Sequence, residues 1–133
     1  GTGTRVLFDA LLAQAGLSAS DITGYAQMEP SHAAVAQAVA GGQADVGLGI
    51  EAAARARGLD FVPLVEEDYH LVCLKSALEE PAVQALCTVL QSADWQAVVC
   101  QLPGYRIASS EAAGHVLSLR KTLPWWNYRT PKK

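Results

Sequence analysis

The chain has 133 residues, half of them hydrophobic and 17% charged, with a net charge of −3. That length suits one domain with a real core, and the composition is globular, far from a disordered one. No apolar run approaches the ~20 residues needed to cross a bilayer, so neither membrane insertion nor a signal peptide is expected.

In chain order, Gly1-Thr2-Gly3-Thr4-Arg5 leads into a helix. Leu7 and Leu11 share one face, Phe8 and Leu12 the neighbouring one, and Gly16 stops it. The two glycines keep side chains away from anything approaching the main chain, the threonines offer hydroxyls, and Arg5 offers a fork of donors suited to oxyanions. A helix start with Thr2 or Thr4 as N-cap and Arg5 in solvent explains the same residues. The pattern is not the nucleotide motif G-x-x-x-x-G-K-[ST], because the lysine and the spacing are missing.

A short strand is expected over 22–28, entered through Asp21. Glu29-Pro30-Ser31-His32 then opens a second helix, which Glu29 or Ser31 can cap, with Val35 and Val39 on a slim apolar face and Gly41-Gly42 at its end. Residues 44–49 read as a buried strand, Glu51 to Arg57 as a short helix stopped by Gly58, and residues 60–65 as another strand. This alternation predicts βαβ units and a mostly parallel sheet. Residues 69–74 continue as an apolar strand after the acidic run Glu66-Glu67-Asp68. Helices follow over Pro81 to Leu90 and Ser92 to Gln101, the second capped by Ser92. Val116 to Leu119 can form a strand, and Trp125-Trp126 suits packing over a core or a partner.

Cys73, Cys87 and Cys100 are odd in number, far apart and set in apolar runs, so buried free thiols and a cytoplasmic setting are expected. Charge is uneven. Arg120, Lys121, Arg129, Lys132 and Lys133 give the end of the chain +5, and the remaining five basic and 13 acidic residues give −8. An anion bound by so acidic a body is held by local geometry and not by the overall field.

In a parallel sheet, strand-to-helix turns gather at the carboxyl ends of the strands, so the two helix starts are expected on one side. Thr2, Gly3, Thr4, Arg5, Ser31 and His32 then converge as backbone amides, hydroxyls, one fixed positive charge and one imidazole. Such a set forms an oxyanion receptor that needs no metal, cofactor or nucleophile.

Gly1 to Arg5, Ser31 to Ala36, Gly42 to Gly49, Leu59 to Leu64 and Leu102 to Tyr105, in that order, resemble the substrate-binding-protein-like domain related to molybdate and tungstate binding proteins. The resemblance covers roughly residues 1–105. It implies a type II periplasmic-binding-protein fold, α/β in class, with two lobes closing on an oxyanion. On this reading residues 1–65 are an α/β lobe carrying the anion site. Residues 66–108 are a returning strand and helices of the second lobe, and 109–133 are a basic, irregular tail. The family domain has a further segment before this motif, so the chain corresponds to its C-terminal part, and a homo-oligomer is expected to cover the exposed face. Domains of this family are commonly fused to helix-turn-helix modules or molybdenum-cofactor biosynthesis enzymes, and related proteins serve ABC transporters from the periplasm. DNA would then be met only through a fused domain.

An enzyme on the same two-lobed fold is the competing class. Asp9 and Glu29 read more simply as a helix face and a cap than as an acid–base pair, and no Ser–His–Asp pattern or cysteine beside a base is present. The expected function is therefore binding, with molybdate or tungstate as ligand, and not catalysis.

Overall fold

Three glycines set the layout of the first half of the chain. In the computed structural model, which describes residues 3–107 and 113–123, helix α1 spans Gly3–Gln14, α2 spans His32–Ala40 and α3 spans Glu51–Arg55. Each ends in the same closure. The Leu17 N–H reaches the Leu12 carbonyl at 2.9 Å and the Gly16 N–H reaches Ala13 at 3.1 Å. Gln43 and Gly42 repeat the pattern on Ala38 and Val39, and Leu59 and Gly58 repeat it on Ala54 and Arg55. This geometry requires a left-handed residue after the helix, and Gly16, Gly42 and Gly58 have φ of 69°, 70° and 67°. The three helices form where the sequence predicts them.

The described residues fall into two compact units. The first lies within Gly1–Glu66 and Leu102–Gly104, the second within Glu67–Gln101 and Tyr105–Lys133. In the first unit α2 packs on α3. The buried residues among those described are Leu12 of α1 and Ala36 of α2. In the second unit a 3-10 turn over Lys75–Ala77 precedes α4 (Pro81–Gln91) and α5 (Ala93–Cys100), which pack together, and α6 spans Leu119–Thr122. Proline opens α4 where its missing N–H is harmless. Ser92 both ends α4 and caps α5: its Oγ donates to the Val89 carbonyl at 2.7 Å and accepts from the Trp95 N–H at 3.3 Å.

The parallel sheet expected from the sequence is not formed. Among the described residues there is no strand, and the architecture is helical, not α/β. Residues 22–28 form a bend and a turn over 23–26 with no regular structure after it, following a 3-10 helix over Ala19–Asp21 in which Asp21 accepts from the Ser18 N–H (2.7 Å) and hydroxyl (2.8 Å) instead of entering a strand. Residues 44–49, 60–65 and 69–74 have no regular structure, and no N–H in 44–49, 60–65 or 67–73 donates to a backbone carbonyl. Val46, Val62 and Leu71 are 83%, 76% and 72% exposed.

The physical reason lies in where the bonds come from. A helix satisfies its backbone within the segment, whereas a strand depends wholly on a neighbour. Gly47, Gly49 and Pro63 weaken these runs as ladder members, and Gly47 serves α2 instead, since a Cβ there would collide with the Val35 side chain. Val116–Leu119 also forms no strand, and α6 begins at Leu119.

The three thiols are free. Cys73 and Cys100 are exposed and Cys87 is half-buried, so the expected burial is not found: Cys73 lies in a stretch whose Leu71, Val72 and Leu74 are themselves exposed, and Cys100 is the last residue of α5. No helix among the described residues is long and apolar enough to cross a membrane. Trp125 and Trp126 lie outside the described residues.

Candidate functional site

All the described residues singled out as anion ligands fall in the first unit, at the starts of α1 and α2. Gly3, Thr4 and Arg5 form the first turn of α1, where backbone N–H groups lack intrahelical partners and the helix carries partial positive charge. No acidic residue occupies that turn to offset it. Gly3 is exposed, and Thr4 and Arg5 are half-buried. Thr2 lies outside the described residues.

Arg5 is not an open side chain. Its Nη1 donates to the Tyr25 carbonyl at 2.8 Å, and its Cζ lies 3.6 Å from the centroid of the Tyr25 ring. Its Nε is 3.7 Å from Oδ1 of Asp9, one helical turn on. The Tyr25 hydroxyl donates to the same oxygen at 2.6 Å, and Phe8 stacks on the Tyr25 ring with centroids 5.9 Å apart. Arg5, Phe8 and Asp9 occupy positions i, i+3 and i+4 of α1, so one helix face presents a cation, a ring and an anion to a single tyrosine. Asp9, read from the sequence as a solvated face, is thus a working partner of Arg5.

At the start of α2, Ser31 is the N-cap, with φ −154° and ψ 160°. Its Oγ accepts from the Ala34 N–H at 3.2 Å and its carbonyl from the Val35 N–H at 3.0 Å. The N–H groups of His32 and Ala33, and the Ser31 hydroxyl proton, have no described protein partner and remain as donors. His32 is half-buried beside Gly49, where a Cβ would stand 3.8 Å from its Nδ1. The chain at 47–49 therefore runs along α2, with Gly47 against Val35 and Gly49 against His32.

The two helix starts are thus each built of donors. Among the described residues they share no hydrogen bond or ion pair: Arg5 is engaged with Tyr25 and Asp9, and Ser31 with its own helix. No group of three or more His, Cys, Asp or Glu side chains among the described residues is arranged to hold a metal ion. Glu51, at the start of α3, pairs with Arg55 at 3.3 Å and lies against Gly104, so its carboxylate is already engaged.

The sequence reading missed Tyr25, which it placed in a strand. No spacing within α1 announces this partner, which lies 20 positions beyond Arg5.

A family model described as a PBP superfamily domain matches residues 1–91. The uncharacterized protein YvgK of Bacillus subtilis (strain 168) is 39% identical over 105 residues, covering 79% of this chain and 33% of that protein. An uncharacterized protein in the ferredoxin 2Fe-2S gene 5′ region of Clostridium pasteurianum is 31% identical over 106 residues, covering 79% of this chain and 94% of that one. The chain therefore spans about a third of the length of the first relative and nearly all of the second. No solved structure matches the chain significantly. The chain belongs to the PBP superfamily, the periplasmic-binding-protein-like family of ligand-binding domains.

Proposed function

We propose that the ligand of this binding domain is a small tetrahedral oxyanion, with molybdate or tungstate first, and that it is held at the starts of α1 and α2. Membership of a ligand-binding superfamily supports binding as the activity and stands against the enzyme alternative. The observation that carries the choice of an anion is the character of the two helix starts. Ser31 caps α2 and leaves the His32 and Ala33 amides open, while the first turn of α1 combines Thr4 with an arginine fork and no acid. A dianion with four oxygens can take several such directional donors at once.

In this reading Thr2, Gly3, Thr4 and Arg5 serve one side of the ligand and Ser31 and His32 the other. The domain acts in the cytoplasm as the sensing part of a longer protein, a transcriptional regulator that meets DNA through a fused module. A periplasmic solute-binding component of an ABC transporter is the alternative setting for the same chemistry.

The test is isothermal titration of the chain with molybdate, tungstate, phosphate and sulfate. A charge-assisted bond is worth ~1.5–3 kcal/mol, so Arg5→Ala is expected to weaken binding roughly ten- to a hundredfold. Ser31→Ala and His32→Ala weaken it less. Parent-like affinity in Arg5→Ala places the site elsewhere, and silence toward all four anions removes the oxyanion reading.

A further inference from the structure

Tyr25 meets Arg5 in two ways at once. Its ring lies under the planar cation, 3.6 Å from Cζ to centroid, and its carbonyl accepts from Nη1 at 2.8 Å. The ring is itself fixed. Phe8 stacks on it at 5.9 Å with an interplanar angle of 29°, and its hydroxyl is held by Oδ1 of Asp9 at 2.6 Å. The main chain of Tyr25 is held too, because its N–H donates to the Ile22 carbonyl at 3.2 Å within the turn that follows the 3-10 helix.

An arginine on an exposed helix face samples many rotamers, and a ligand that uses it must freeze them. Here one face of the guanidinium is covered, one edge is hydrogen-bonded, and Nε faces a carboxylate oxygen at 3.7 Å. The plane of the fork is therefore set before any ligand arrives. Nη2 has no described protein partner and keeps both of its N–H groups. The Tyr25 contacts use the ring face and a carbonyl, so they fix the cation without neutralising it. Among the described residues only Asp9 offsets its charge, at a distance beyond a hydrogen bond.

We propose that Tyr25 is the positioning residue of the ligand-binding arginine: it holds the Arg5 guanidinium in a preset plane so that Nη2 meets an oxyanion without loss of side-chain freedom. The inference rests on Arg5 being a ligand donor, as proposed above. It adds that the donor is preorganised, and by which residue.

The experiment is a double-variant cycle with molybdate as the probe, using Tyr25→Leu, Arg5→Ala and the pair, read by calorimetry on this chain. Nitrogen-15 relaxation of the Arg5 Nε–H is measured alongside. Tyr25→Leu is expected to weaken molybdate binding roughly two- to tenfold, the cost of ordering one long side chain at the moment of binding. It should lower the order parameter of the Arg5 Nε–H, and cause no further loss in the Arg5→Ala background. An equal loss in both backgrounds means that Tyr25 acts through the fold, and overturns the proposal. So does a Tyr25→Leu chain whose affinity and Nε–H order match the parent. Where Arg5→Ala weakens binding and Tyr25→Leu does not, positioning alone fails. Where Arg5→Ala binds as the parent does, Arg5 as a donor fails with it, and a chain that binds no molybdate overturns both. If Tyr25→Leu does not fold, Tyr25→Met removes the ring face from under the guanidinium while keeping a long apolar side chain. A rise in Arg5 Nε–H motion then supports positioning, and unchanged motion overturns it.

Discussion

The Tyr25 hydroxyl donates a 2.6 Å hydrogen bond to Oδ1 of Asp9, joining the turn after the 3-10 helix to a residue sixteen positions earlier on α1. Asp9 alone is a modest partner for Arg5, because a basic residue followed by an acid at i+4 is the weaker order on a helix. The tyrosine gives the pair a third member and ties two stretches that would otherwise be independent.

Tyr25→Phe is therefore expected to lower stability by about 0.5–1.5 kcal/mol, the net worth of one hydrogen bond. The loss should vanish in an Asp9→Ala background. Urea unfolding of the four proteins of the cycle measures it, and two independent losses would show that the bond carries no coupling.

Gly47 is where the chain passes closest to α2. Gly47→Ala sets a methyl group into the space of the Val35 side chain and is expected to cost about 1–3 kcal/mol, as overpacking does. Val35→Ala should recover most of that loss. Melting temperatures of the single and double variants check the pair.

Ser31→Ala removes the N-cap of α2 and is expected to cost about 1 kcal/mol, whereas Ser31→Gly costs a few tenths. Circular dichroism with denaturant titration distinguishes the two. The first variant should also release the Ala34 amide to faster hydrogen exchange.

Asp21 is held below the ordinary aspartate value of 3.8, first by the Ser18 backbone N–H and then by the Ser18 hydroxyl. A depressed value in the folded chain means that the bond favours folding above the unfolded value. Its contribution fades as pH falls through the lowered folded value. The 3-10 turn should hold at neutral pH and loosen below about pH 4. Carboxyl chemical shifts followed through a pH titration read this directly, and Ser18→Ala should move the Asp21 midpoint part of the way back up.

Val46, Val62, Leu71, Val72 and Leu74 stand largely in water, an apolar exposure that monomers rarely keep. We expect concentration-dependent self-association of the chain by light scattering, and we expect Val46→Asp with Val62→Asp to reduce it. A constant monomeric mass up to high micromolar concentration would contradict this.

What the sequence disclosed follows the range of the forces. The ends of α1, α2 and α3 are written in Gly16, Gly42 and Gly58, and the start of α5 in Ser92, because caps act within a few residues of their cause. The apolar runs at 44–49 and 60–65 read as strands because their composition suits burial, yet a strand exists only with a partner, and no local pattern supplies one. The site divides along the same line. Ser31 caps α2 as its place before His32 suggests, whereas Arg5 and Tyr25 meet across 20 positions, which no spacing rule within one element reveals.

Ser92 has a further consequence, for changes of length. It closes α4 through Val89 and opens α5 through Trp95, so the two helices meet with no spare residue between them. One residue inserted after Gln91 turns everything beyond it by about 100° around the α4 axis if the helix continues, and detaches the cap if it does not. Residues 67–73, whose amides make no backbone hydrogen bond, accept an insertion without such a penalty. Insertions and deletions should therefore gather in that stretch and leave the single-residue joint between α4 and α5 intact.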